Sequence, residues 1–302
     1  MKYLPVIFFN FFFISCLKGN TNLPDSNNTI DKRKLARAII TESALYVGSM
    51  AYLQFVWYKD HERVPFHFYN DNSGYLQMDK FGHTFGAYLE SYAGYNWLKS
   101  CGVSRKQALL FGASLGIVLQ APIEVFDGLY EGWGFSWGDI IANTAGPAFI
   151  VAQELLFKEQ LIKMKFSYWR SYYAKNSNGY LGSNFMESLI YDYNSHTYWA
   201  SINLNKIVKI NRLPEWLNLA VGYSANGMFG EFTNLSYYKG VKLPESERYR
   251  QLLISFDLDL TKIKTKSRFL NSLFQSMFFI KIPFPAIEIN SLGKMKLYPV
   301  YF

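Results

Sequence analysis

The hydrophobic pattern of this 302-residue chain changes its period once, near Lys165. Before that point, long apolar stretches with few charges are typical of helices that are buried on more than one face. After it, apolar and polar residues alternate, for example over residues 217–224 and 254–261, which is typical of half-buried antiparallel strands. The sequence therefore predicts an α+β fold: an N-terminal four-helix apolar bundle followed by a small antiparallel β-sheet or incomplete barrel.

Capping and turn residues place the predicted elements along the chain. We predict helices at about residues 35–58, 79–99, 104–127 (or ending near 120) and 136–159. Asp79, Ser104 and Ser136 are the expected N-caps. In the C-terminal half we expect about five to seven strands and an amphipathic helix over residues 269–278. That number is below the roughly eight strands with which outer-membrane barrels begin.

The N-terminus has the outline of an export signal. Lys2 precedes an apolar run, and the small residue Ser15 lies directly before Cys16. Residues 13–16 (FISC) resemble the lipobox of bacterial lipoproteins, in which the cysteine is acylated and becomes the new N-terminus. A plain signal peptide cut a few residues later is the alternative. The predicted organisation is a signal peptide with lipidation at Cys16 (1–16), a polar tether (17–34), a helical domain (35–160) and a β-rich region (161–302).

The composition favours a membrane partner. The net charge is +8, and 50% of the residues are hydrophobic and 19% aromatic. A basic balance suits nucleic acid or an anionic membrane surface, and no nucleic-acid-binding motif accompanies it. We therefore expect a protein of the bacterial cell envelope, anchored on the periplasmic side. Its expected partners are membrane lipid and an envelope protein or lipid-linked component, with nucleic acid excluded. Cys101 has no disulfide partner once Cys16 is lipidated.

Three of the apolar segments carry polar residues one helical turn apart near one end. The groups are Asp79-Lys80-x-x-His83, Glu124-x-x-Asp127 and Asp139-x-x-x-Asn143. Spacings of three or four residues put side chains on one face of a helix. Charges against apolar helices cost free energy unless they pair, hydrogen-bond or bind a ligand. We therefore expect the helix ends to converge on one polar constellation, with Glu90 two turns beyond His83 on the same face.

The residues leave three roles open for this constellation. It is a structural network in which Lys80 pairs with Glu124 or Asp127, a metal or acid–base site, or a site that binds a headgroup or partner. If it is catalytic, His83 and Asp139 are the candidate catalytic residues. The candidate binding residues are Asp79, Lys80, Glu124, Asp127 and Asn143. The residues specify no metal or cofactor, and the familiar motifs HExxH and GxxxxGKS are absent.

The order of these motifs resembles that of a known family. The DKxxH motif at 79–83, the acidic pair and the GFSWGDxxxNxxG motif at 134–146 resemble the YfiM-type family of predicted periplasmic or membrane-associated lipoproteins. The order is also similar to that of VanZ-like membrane proteins, which are linked to glycopeptide resistance. Their acidic helix reads ExxQ where this chain has Asp127. The resemblance covers about residues 40–160 and implies a membrane-associated lipoprotein without an assigned activity.

Two functions follow as hypotheses. The first is an envelope lipoprotein whose polar cluster organises the helical bundle or binds an envelope component. The second is a membrane-bound hydrolase or transferase that acts on a lipid-linked or phosphate-bearing envelope substrate, with or without a metal. The second hypothesis requires the side chains of His83, Asp127 and Asp139 to meet in an open pocket, together with that of Glu124.

Overall fold

A computed structural model describes residues 30–208 and 213–302 of the chain. The predicted signal peptide and the lipidation at Cys16 lie outside the described residues. Within them, the protein combines helices with an antiparallel sheet, as the hydrophobic pattern predicts.

The N-terminal half is helical. Helix α1 spans Lys32–Tyr52 and continues as a π-helical turn, Leu53–Trp57. A 3₁₀ turn, Gly74–Gln77, leads into α2, which spans Met78–Ser100. The short helix α3, Arg105–Gln107, continues through a π-helical turn, Ala108–Gly112, towards α4, Leu115–Asp127, and α5 spans Trp137–Phe157. Shorter helices follow in the C-terminal half: α6, Tyr172–Lys175; α7, Phe185–Tyr191; α8, Leu204–Val208; and α9, Arg268–Ser276. A separate four-helix bundle is not confirmed, because the described chain has more helices and the sheet packs directly against α2.

The C-terminal half forms one main sheet. Its strands are β1, Ile162–Tyr168; β2, His196–Asn203; β3, Leu217–Asn226; β6, Tyr249–Leu258; β7, Phe284–Asn290; and β8, Met295–Tyr301. They are antiparallel in the order β1-β2-β3-β6-β7-β8, and β4, Tyr237–Tyr238, pairs with β5, Val241–Lys242, in a separate hairpin. The sheet curls on itself, because the amide of Phe166 in β1 donates to the carbonyl of Phe279 at 2.8 Å, just before β7.

The two faces of this curled sheet differ in polarity. One face is apolar and packs against α2 through β1–β3, where the rings of Phe166 and Phe85 lie 5.7 Å apart. The other face is polar and enclosed by the curl, with Lys165 Nζ 2.6 Å from an oxygen of Asp257. On β6–β8 the apolar face is exposed, as at Phe256. The antiparallel sheet is thus curled, with a polar inner face.

Glycines bring α2 close to its neighbouring helices. A Cβ atom on Gly116 of α4 would lie 2.2 Å from the carbonyl oxygen of Ala87, and one on Gly146 of α5 would lie 2.4 Å from that of Thr84. The amide of Gly116 also donates to Ser91 Oγ at 3.1 Å. Such contacts between backbones need glycine, because no other residue lacks a Cβ atom. Contacts along the helices show that α4 runs antiparallel to α2 and α5 parallel to it, so their polar ends meet.

Two helical stretches are long and apolar enough to cross a membrane, namely Arg105–Asp127 and Trp137–Phe157. This test uses length and composition alone, and core helices of soluble proteins also pass it. In the most apolar windows of these two stretches, only 33% and 39% of the residues are buried. A large part of their apolar surface is therefore exposed.

The close approach of α5 to α2 can be tested with Gly146→Ala. The added methyl group overlaps backbone atoms of α2, so we expect the free energy of unfolding to fall by about 1–3 kcal/mol, although alanine favours helix. Chemical denaturation measures this change. Ala145→Ser adds one atom at the neighbouring exposed position and is expected to change it by less than about 0.5 kcal/mol. Equal stability of Gly146→Ala and the wild type would contradict the packing.

Candidate functional site

Four helix ends surround a cavity of about 260 Å³. They are the C-terminal ends of α1 and α4 and the N-terminal ends of α2 and α5. The lining residues are Trp57, Tyr69, Asp71, Gly74, Tyr75, Asp79, His83, Asp127, Gly132, Trp133, Gly134, Asp139, Tyr191, Tyr193 and Glu231. The cavity therefore has an acidic lining with aromatic walls, and three of the predicted site carboxylates and His83 reach it.

Lys80 pairs with three carboxylates at the edge of this cavity. Its Nζ lies 2.6 Å from Asp139 Oδ1, 2.7 Å from Asp71 Oδ1 and 3.1 Å from Asp79 Oδ2. Burial alone would lower the pKa of Lys80, but Asp79 and Asp139 raise it above the ordinary value. The predicted pairing of Lys80 with Glu124 or Asp127 is wrong, because the first turn of α2 faces the first turn of the parallel helix α5.

His83 is buried at the centre of the constellation. Its Nδ1 lies 3.1 Å from Asn143 Oδ1 and 3.5 Å from Glu124 Oε1, and both of these oxygens accept hydrogen bonds. A proton on Nδ1 satisfies them, which leaves the lone pair of Nε2 directed towards the cavity. Burial lowers the pKa of His83 to about 3, so the ring is neutral at physiological pH.

Asp79 and Asp139 flank this Nε2 atom. It lies 3.3 Å from Asp139 Oδ1 and 3.6 Å from Asp79 Oδ2. Burial opposes the ionisation of Asp79, but the ammonium group of Lys80 and a 2.5 Å hydrogen bond from the Tyr193 hydroxyl hold its pKa below the ordinary value. Burial and the carboxylates of Asp79 and Glu124 raise the pKa of Asp139 to about 10. Without a bound cation, Asp139 therefore carries the proton and Asp79 the charge.

The acidic pair of α4 divides between two environments. Asp127 lines the cavity, and one of its oxygens accepts a hydrogen bond from the Tyr58 hydroxyl. Glu124 is fully buried behind His83. Glu90 lies deeper still and accepts a hydrogen bond from Gln120 Nε2 at 2.9 Å, so it is not part of the cavity.

The structure corrects one cap and confirms two. Helix α2 begins at Met78, and its N-cap is Gln77 in a left-handed conformation with φ of 67°. Asp79 is therefore free of the capping role and turns towards Lys80 and Tyr193. Ser136 is the N-cap of α5 and accepts from the amide of Asp139, and Ser104 caps α3, as predicted.

Sequence reasoning missed the residues that other segments bring to the cavity. Asp71 comes from the loop before α2 and accepts a hydrogen bond from Ser136 Oγ at 2.6 Å. Glu231 and Tyr193 come from the β-rich region. The turn-rich sequence around Asp71 was a weak signal for a structured loop. No pattern in the chain pointed to Glu231 or Tyr193.

The arrangement provides a set of metal ligands. Asp79, His83 and Asp139 each offer one atom, and these three atoms lie within 4.8 Å of one another. One imidazole nitrogen and carboxylate oxygens suit divalent ions such as Mn²⁺ and Zn²⁺. The Nδ1 contacts of His83 to Asn143 and Glu124 provide the outer support that metal-bound histidines usually have. The donor set therefore fits a divalent cation.

Lys80 can be tested as the counter-ion of this site with Lys80→Gln. Removing the ammonium group leaves the charges of Asp71 and Asp79 uncompensated beside Asp139, so in a chelator we expect the free energy of unfolding to fall by about 3–5 kcal/mol. Chemical denaturation measures the change. Lys242→Gln is the matched control, because Lys242 forms an exposed pair with Glu245, and it is expected to have no measurable effect. Comparable stability of both variants would contradict the role of Lys80.

A comparison with protein families places the site within a recognised region. Residues 67–154 match a family model described as predicted periplasmic lipoprotein (DUF2279). The match includes all seven predicted site residues and supports a periplasmic lipoprotein of unknown function. The match does not show that the chain belongs to the YfiM-type family or that it is similar to VanZ-like proteins. No curated protein and no solved structure matches the chain.

Proposed function

We propose that this protein is a membrane-associated lipoprotein of the bacterial cell envelope whose acidic cavity binds a divalent metal ion, and through it an envelope component. The observation that carries the proposal is the convergence of Asp79, His83 and Asp139 at the wall of an open cavity. These residues come from two helices, and the network that positions them includes a third helix and the β-rich region.

The charge balance of the cavity favours a bound cation over a purely structural network. Five carboxylates line it, from Asp71, Asp79, Asp127, Asp139 and Glu231, and the described lining includes no lysine or arginine. Lys80 at the edge contributes a single positive charge. Buried carboxylates are costly unless they are paired. A divalent ion supplies the missing charge, and Lys80 then keeps Asp71 as a partner.

The exposed apolar surface supports the membrane part of the proposal. Leu110 and Val118 on the α3–α4 stretch are exposed, and so are Ile141 and Leu155 on α5. Many large apolar side chains exposed on two neighbouring helical stretches are typical of an interaction site for a protein or a membrane. Together with the lipobox-like sequence at Cys16, it favours a protein that lies against a membrane to which it is tethered.

Metal binding is tested by calorimetric titration of Mn²⁺ and Zn²⁺ into the full-length protein in detergent after treatment with a chelator. We expect one ion per chain for at least one of the two metals. His83→Gln and Asp139→Asn are each expected to weaken binding at least tenfold, as loss of a ligand or its support does. His61→Gln in the exposed loop and Glu245→Gln are the controls and should bind as the wild type does.

The circular dichroism spectrum of each variant shows whether it is folded. A folded wild-type protein that binds neither ion would contradict the proposal, and the cluster would then be a structural network. Binding that persists unchanged in His83→Gln would place the ion elsewhere.

A second candidate is a metal-dependent hydrolase acting on a phosphate-bearing envelope substrate, and one observation favours it. The cavity of about 260 Å³ is larger than one ion and its waters need, since a water occupies about 30 Å³. Asp127 lines this space and is not one of the three proposed metal ligands. Its carboxylate is therefore a candidate general base that accepts a proton from an attacking water.

Bis(p-nitrophenyl) phosphate is a generic probe for the hydrolase activity. We expect the wild-type protein to release nitrophenol when supplied with the metal, and Asp127→Asn to lose at least 100-fold in rate, as loss of a general base does. Asp127→Asn should still bind the ion. Absence of turnover by metal-loaded wild type would leave the binding function and remove this candidate activity for simple phosphodiesters.

A further inference from the structure

We propose that an apolar groove at the opposite end of the long helices binds an anionic phospholipid, with an acyl chain in the groove and the headgroup at the basic residues beside it. The groove has a volume of about 510 Å³ and lies between α1, the C-terminal half of α2 and the α3–α4 stretch. Leu35, Ile39, Trp97, Leu98, Phe111 and Leu115 are among its lining side chains.

The shape of the groove follows from close helix packing at its floor. A Cβ atom on Gly94, which lines the groove, would lie 2.7 Å from the carbonyl oxygen of Gly112. The two helices therefore touch at their backbones. Ala38 of α1 packs on Ala93 and Trp97 of α2, so the groove is the space left between α1 and the α3–α4 stretch. Pockets for small molecules have volumes of about 300–1,000 Å³, and this one is within that range.

The surroundings of the groove suit a lipid chain. Ile39 and Phe111 line it and are more than half exposed, at 55% and 60%, and Ile40 and Leu110 beside them are exposed as well. A chain from a bilayer can therefore enter without passing a polar surface. Burial raises the pKa of Glu42 in the groove wall to about 7, so its neutral form is populated near neutral pH. A neutral Glu42 side chain costs less free energy beside an acyl chain than a charged one.

The charge at this end selects the headgroup. Lys32, Arg33 and Arg37 are exposed on the first turns of α1, between the lining residues Ile30 and Ile39. Lys106 is exposed next to the lining residue Gln107. Basic side chains near an anionic lipid surface are attracted to it. The basic cluster thus favours an anionic headgroup over a zwitterionic one and disfavours a basic peptide.

The proposal is tested by native mass spectrometry of the full-length protein in mild detergent, with phosphatidylglycerol and phosphatidylcholine of identical acyl chains. We expect phosphatidylglycerol to bind at least fivefold more tightly. Ser43→Trp fills the groove and is expected to weaken that binding at least fivefold. Ala44→Trp adds the same side chain at the neighbouring exposed position and should leave binding unchanged.

The headgroup contribution is tested by the triple variant Lys32→Gln, Arg33→Gln and Lys106→Gln. It should bind the two lipids equally, whereas Lys264→Gln, Lys266→Gln and Arg268→Gln together should keep the preference.

Three results would overturn the proposal. They are equal binding of both lipids by the wild type, equal effects of Ser43→Trp and Ala44→Trp, and phosphatidylglycerol binding that appears only in Cys16→Ser. The last result would show that an acyl group on the chain itself fills the groove.

Discussion

The architecture depends on the close approach of α2 to its two neighbouring helices. Gly116 of α4 and Gly146 of α5 allow backbone contacts with α2 that any side chain would prevent. The opposite face of α2 is covered by the apolar face of the sheet. A helix enclosed in this way has little freedom to slide or rotate, because well-packed interiors resist displacement. Packing along the body of α2 therefore holds the polar residues at its N-terminal end against those of α4 and α5.

The polar constellation is consistent with that rigid frame. Lys80 contacts three acidic side chains and balances part of their charge, while neutral His83 is supported from behind by Asn143 and Glu124. A closed network of ion pairs would serve the fold alone. Here the same side chains reach an open, acidic cavity, and their donor atoms are as close together as the ligands of one ion. A site that binds a cation accounts for both features.

Much of the site could be predicted from the sequence, because helical spacing shows which polar residues share a face. The alternation after Lys165 likewise predicted the antiparallel sheet, and residues 268–276 form the expected amphipathic helix. The partners of Lys80 could not be predicted, since they depend on α2 and α5 lying parallel. Nor could Glu231 and Tyr193, which reach the cavity through tertiary packing of the β-rich region. The short helices α6 to α8 lack the periodic signal that a longer element gives.

We propose that Asp79, His83 and Asp139 bind one metal ion together. X-ray absorption spectroscopy of the metal-loaded protein tests it most directly, because it reports the atoms that surround the ion. We expect one imidazole nitrogen among oxygen ligands at about 2.0–2.2 Å for Zn²⁺, and loss of the imidazole signal in His83→Gln. A spectrum with oxygen ligands alone, or an imidazole signal that persists in His83→Gln, would contradict it.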